Sequence, residues 1–92
     1  MKGPLLAIFV LDRGFVTVGR AEIDPELAFH WRIVGRTVRH WGTKDGLAEL
    51  CDGPLPDTVL DRLCVRHTPF RSIIDILEIN KKGAERWANH LG

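Results

Sequence analysis

Six basic side chains, Arg20, Arg32, Arg36, Arg39, His40 and Lys44, fall within 25 residues, and Trp31 and Trp41 lie among them. Guanidinium forks match phosphate oxygens in a bidentate manner, and aromatic faces stack on bases. Trp and Arg are also the residues most enriched at the energetic centres of protein interfaces. Arg32, Arg36, Arg39, His40, Trp41 and Lys44 are therefore the candidate ligand- or partner-binding residues. The competing reading is a solvated strand face carrying ordinary arginines. The near-neutral balance of the chain weighs toward that reading, and no Gly-rich phosphate loop accompanies the cluster.

Other chemistries find less support. His30, His40, Cys51, Cys64 and His67 are the soft ligands. Structural zinc wants two closely spaced pairs, and only Cys64-x-x-His67 offers one, so no metal and no cofactor are expected. A Cys–His dyad would need a recognisable nucleophile setting, which the flanks of Cys51 and Cys64 lack; both read as reduced, buried core thiols. Asp75 and Glu78 fall on opposite faces of one strand and cannot share acid–base work. The expectation is a protein that is not an enzyme.

The chain's bulk properties set the limits. Ninety-two residues make one small domain, and 45% hydrophobic content makes it globular. Thirteen basic against twelve acidic residues leave a formal charge of +1, which argues against a general nucleic-acid binder. Two cysteines are far from a disulfide scaffold and suit a cytoplasmic protein. No apolar run reaches the length of a membrane span. Leu5–Leu11 is apolar, but a single Lys precedes it and Asp12-Arg13-Gly14 follows, so it does not read as a signal peptide.

The elements that position the cluster are mostly strands. Leu5–Leu11 is a strand apolar on both faces, Leu5, Ala7, Phe9 and Leu11 opposite Leu6, Ile8 and Val10. Asp12-Arg13-Gly14 turns it into a second strand, Phe15–Ile23, whose Gly19 marks a bulge or a close approach. After Asp24-Pro25-Glu26, Leu27–Val34 alternates cleanly, with Leu27, Phe29, Trp31 and Ile33 inward. Gly35 breaks the chain, and Arg36–Trp41 is a further short strand. Gly42 then opens a corner: Thr43 or Asp45 caps a short helix through Leu47–Cys51, over which Trp41 packs, and Asp52-Gly53-Pro54 ends it. Gly53–Asp57 is irregular, Thr58–Leu63 is loop or short strand, and Cys64–His67 enters a strand that Pro69 interrupts. Arg71–Ile79 is the second strand apolar on both faces, with Ile73, Asp75, Leu77 and Ile79 opposite Ile74, Ile76 and Glu78. Asn80–Gly83 turns into a terminal helix, Ala84–Leu91, with Ala84, Trp87, Ala88 and Leu91 on one side.

The fold class expected is α+β: a small, mostly antiparallel bent sheet or partial β-barrel of five or six strands, with one short internal helix and a C-terminal helix. Two strands apolar on both faces have little helix to cover them. Another copy of the chain is the simplest cover, so a homo-oligomer is expected.

The segments LDRGFVTVGR (Leu11–Arg20), VRHWGTKDGLAEL (Val38–Leu50), GPLPDTVLD (Gly53–Asp61) and RSIIDILEI resemble a group of small uncharacterised accessory proteins of bacteriophages and other mobile elements. The hallmark is Trp41-Gly42-Thr43 followed by Gly46-Leu47-x-Glu49-Leu50. The resemblance implies an accessory factor acting in a bacterial host cell, with no catalytic residue to transfer. Such a factor binds and inhibits a host protein, as a counter-defence factor would. The alternative is an oligomeric binder that sequesters a nucleotide messenger. Weaker alternatives are a nucleic-acid-binding accessory protein and an enzyme using Cys or His.

Overall fold

The computed structural model describes residues 4–91; residues 1–3, including Lys2, and residue 92 lie outside it. Six strands form one antiparallel sheet: β1 (Leu5–Leu11), β2 (Val16–Ile23), β3 (His30–His40), β4 (Val59–Leu60), β5 (Cys64–Pro69) and β6 (Ile73–Glu78). The order across the sheet is β4-β3-β2-β1-β6, and β5 pairs with β3 on the same side as β4, further along the strand. Among the described residues there is one α-helix, α1 (Lys81–Leu91), which follows β6. This is a small α+β fold with an unclosed sheet.

β5 and β6 occupy opposite edges, yet only the 3₁₀ turn Phe70–Ser72 joins them. In a flat sheet, four interstrand steps of about 4.8 Å would hold them roughly 19 Å apart. Three linking residues span at most about 14 Å. The sheet therefore has to roll until its edges approach, and its inner face is shut off by its own strands. Ala7, Phe9, Ala21 and Ile33 are fully buried there, with Leu5, Trp31 and Ile73 around them.

The roll needs backbones to meet closely. Gly19 and Gly35 face each other across β2 and β3. A Cβ on Gly19 would sit 2.6 Å from the Val34 carbonyl oxygen and 2.8 Å from the Gly35 Cα. Gly35 is thus not a break: β3 runs unbroken through it, and the glycine serves the crossing.

The outer face carries the second core. Ile8, Val16, Val18 and Val38 pack under Leu50, Trp87 and Leu91. Trp87 is fully buried, and its indole N–H donates to the Leu50 carbonyl at 2.8 Å. α1 starts three residues earlier than expected, because Asn80 caps it: the Asn80 Oδ1 accepts the Gly83 N–H at 2.7 Å. Gly83 is no turn residue; it lets α1 lie on the Cys51 carbonyl.

Other expectations shift for similar reasons. The internal helix is a 3₁₀ turn, Leu47–Asp52, set between Gly46 and Gly53, both at positive φ. Neither Thr43 nor Asp45 caps it; the Glu49 carboxylate instead accepts the Lys44 and Asp45 amides at 2.7 and 2.9 Å. A register shift at Val10/Leu11 turns Ile73 to the inner face, away from Leu77, and leaves Ile74 68% exposed. Cys51 and Cys64 are unbridged and half-buried rather than buried. β1, expected to need a neighbour, is covered on both faces within one chain, by α1 outside and by the roll inside.

Candidate functional site

Strand alternation divides the six predicted binding residues. Arg32, Arg36 and His40 share the outer face of β3, while Arg39 takes the inner side. At about 3.3 Å per residue, Arg32 and His40 are roughly 26 Å apart along the strand, so no single ligand spans the set. Arg36 is occupied: its Nε donates to the Asp61 carbonyl at 2.5 Å and its NH1 to the His90 carbonyl at 3.3 Å. The Arg20 NH1 donates to the Leu91 carbonyl at 3.0 Å. Two guanidiniums thus satisfy the orphan carbonyls at the negative end of α1. Arg32 lies 3.9 Å from a Glu22 carboxylate oxygen on the surface. The Lys44 amide is tied to Glu49, and its side chain is exposed.

Arg39, His40 and Trp41 do come together. With Gly42 and Thr43 they line an open cleft of about 390 Å³. Arg39 and Trp41 also line the adjoining cleft, of about 400 Å³, with Arg13, Phe15 and Thr37. They form the ridge between the two. Trp41 is 39% exposed, and Arg39 is braced by Asp61 at 3.5 Å.

The corner beneath this ridge is tightly bonded. Thr58 Oγ1 donates to the Trp41 carbonyl at 2.7 Å and accepts the Leu55 amide at 2.9 Å. Gly42, at φ +69°, rests on the Asp57–Thr58 peptide, where a Cβ would come within 2.6 Å. The hallmark Trp-Gly-Thr and Gly-Leu-x-Glu-Leu segments therefore build a scaffold.

Two features lie outside the predicted set. The first is Asp24, whose side chain is buried. Its Oδ1 accepts the Glu26 and Leu27 amides at 2.9 and 3.1 Å, and its Oδ2 meets His67 Nδ1 at 2.5 Å. The His67 hydrogen bond and then the Glu26 amide, opposed by burial and aided by the Leu27 amide, hold its carboxyl down at about 2. The cue was the Asp-Pro-Glu turn, whose Asp closes the loop on itself. Its histidine partner comes from a strand 43 residues away, beyond any local pattern. Cys64 and His67, three apart on β5, face opposite sides and form no dyad. Burial and neighbouring Asp52 push the Cys51 thiol up, away from the reactive thiolate.

The second feature is aromatic. Because Asp24 captures those amides, the chain does not enter β3 until His30, and Leu27 and Phe29 turn outward instead of joining the inner face. Phe29 sits at φ +61° and is 78% exposed. Its ring meets Phe70 edge-on at 6.5 Å; Phe70 meets Trp31 at 5.6 Å, and Trp31 meets Phe9 at 6.1 Å. The Phe70 amide donates to the Phe29 carbonyl at 2.8 Å. A ladder of rings thus runs from the inner core to the surface and ends in a cleft of about 550 Å³ lined by Phe29, His30, Pro69, Phe70 and Arg71. Exposed Ile23, paired with Trp31, extends the apolar surface. Alternation placed Phe29 in the core; its left-handed backbone is the signal that sequence could not carry.

Among the described residues, no group of three or more His, Cys, Asp and Glu side chains could hold a metal. Among the same residues, no helix is long and apolar enough to cross a membrane. Compared with models of protein families, with curated proteins and with solved structures, the chain matches none.

Proposed function

We propose that this chain is a non-enzymatic binding protein that engages another protein through the aromatic end of its rolled sheet. The observation that carries the reading is Phe29. A bulky residue in the left-handed region costs about 1–2 kcal/mol, and the fold bears that cost to hold a phenyl ring in water. Strain kept at an exposed aromatic residue, backed by Phe70 and Trp31, is the form of an interface anchor. In the phage or mobile-element setting implied by the sequence resemblance, the partner is a host protein in the bacterial cytoplasm, and binding inhibits it.

A second reading rests on the Arg39–Trp41 ridge. A guanidinium and an indole between two clefts could stack a base and hold a phosphate, which is the chemistry of a nucleotide binder.

One experiment separates them. Tagged wild type, Phe29→Ala with Phe70→Ala, and Arg39→Glu are each expressed in the bacterial host and recovered from it. On the first reading, a host protein co-purifies stoichiometrically with wild type and Arg39→Glu, is lost from the double Phe variant, and is inhibited when wild type is added back to it. Retention by the double Phe variant sinks that reading. A small molecule released by wild type and absent from Arg39→Glu, seen by mass spectrometry, would favour the nucleotide reading instead.

A further inference from the structure

β5 and β6 are open edges on opposite sides of the sheet, the short β4 sharing the side of β5: among the described residues β5 and β4 pair only with β3 and β6 only with β1. Each leaves its outer side without a strand partner, a template for a further strand, although the Ile76 N–H donates to Asp75 Oδ1 at 2.9 Å and Pro69 at the end of β5 has no N–H to offer. Exposed edges usually carry lysine, proline or an irregularity along their length. β6 carries neither lysine nor proline, and it displays Ile74 and Ile76, 68% and 38% exposed. Its bulge faces β1 and thrusts Ile74 outward instead of blunting the edge. Leu63 and Val65 are exposed at the other edge.

The two edges differ in charge. The span 62–72 contains Arg62, Arg66, His67 and Arg71 and no acid; the span 73–79 contains Asp75 and Glu78 and no base. Arg66 and His67 are engaged within the chain, by Thr37 and Asp24. Arg62 and Arg71 are exposed without an ion-pair partner among the described residues, as are Asp75 and Glu78. Two β6 edges brought together would oppose carboxylates, and two β5 edges would oppose guanidiniums.

We propose that the partner of each edge is the opposite edge of a second copy, β5 of one chain against β6 of the next, in a head-to-tail assembly. Backbone pairing joins the strands, Ile74 and Ile76 lose water against Leu63 and Val65, and the Arg62/Arg71 and Asp75/Glu78 charges fix the orientation. This contact is heterologous, so it closes into a ring or continues as a filament. Arg71 also lines the aromatic cleft, so Asp75→Lys with Glu78→Lys and Ile74→Lys, which lie outside that cleft, are the variants that separate a failure of the assembly from a failure of the aromatic reading.

The test uses charge reversal and native mass spectrometry with light scattering at high micromolar concentration. Wild type assembles. Asp75→Lys with Glu78→Lys alone is monomeric, as is Arg62→Glu with Arg71→Glu alone. Mixed in equal amounts, the two variants assemble again, alternating, because each reversed edge now complements the other variant. All four positions are exposed, and circular dichroism checks that the fold persists. Ile74→Lys, a single change on the edge, provides a second probe and lowers the assembled fraction at least tenfold. A monomeric wild type overturns the proposal. So does assembly of Arg62→Glu/Arg71→Glu alone at the wild-type level, or a mixture that stays monomeric.

Discussion

The corner from Trp41 to Gly53 and the loop from Asp24 to Phe29 are both short connections flanking β3, and they use their residues in opposite ways. The corner holds the densest run of chemically capable side chains, and several of its groups are occupied by architecture. Glu49 binds two amides, Leu50 is buried and offers its carbonyl to Trp87, and Thr58 from the following loop holds the Trp41 carbonyl. The loop contains one polar side chain with comparable duties, Asp24, and its effect is to turn apolar residues outward. Residue type alone points to the corner as the functional region. Satisfied hydrogen bonds and backbone strain point to the loop, because groups already paired have little left to offer a partner.

Three experiments break or sharpen that contrast. The largest effect belongs to the corner side. Trp87→Ala removes the biggest buried side chain and the donor to the Leu50 carbonyl, and is expected to cost about 3–5 kcal/mol. That is most of the margin of a domain this small, and urea denaturation would show it as a midpoint shifted far down or as no cooperative transition. A loss under 1 kcal/mol would mean that α1 and the corner are not one packed unit.

Phe29→Gly should act in the opposite direction and be smaller. Glycine takes φ +61° without strain, so stability rises by up to about 1 kcal/mol. The same variant should lose its protein partner. A variant that gains stability and loses binding would mark Phe29 as functional; one destabilised by more than about 1 kcal/mol would make it a packing residue.

The smallest effect near neutrality is that of pH. Asp24 has its carboxyl lowered from the ordinary 3.8 to about 2, so the unfolded chain takes up the proton first. The stability this group contributes is complete above its unfolded value and is lost as pH falls from about 4 through 2. In Asp24→Asn that acid limb should flatten. An unchanged limb in urea titrations across this range would show that the carboxylate is not held by His67 and the loop amides.

Much of the fold was legible, for reasons that reside in single segments. Leu5–Leu11 announces a strand through its apolar run, Asp12-Arg13-Gly14 announces its turn, and Trp87 with Leu91 announces a helix face. What escaped depends on partners distant in sequence. Gly35 reads as a break until Gly19 is placed opposite it. Ile73 belongs with Leu77 by alternation until a bulge against β1 moves it inward. The site was legible only in part: Arg39, His40 and Trp41 do share a cleft, but Arg36 is taken by the carbonyls of Asp61 and His90, which no local pattern connects to it. Phe29 reads as core because the alternation from Leu27 is regular, and the reach of the Asp24 carboxylate to the Leu27 amide lies outside that pattern.

The link Phe70–Ser72 ties the two outermost strands together with almost no slack. The rims of the roll are consequently joined at this end, and a load applied at Phe70 reaches both. An ordinary open sheet frays from whichever border is weaker. Here fraying of β5 and β6 has to begin at their far ends, Cys64 and Glu78, because the ends beside Phe70 are pinned to each other.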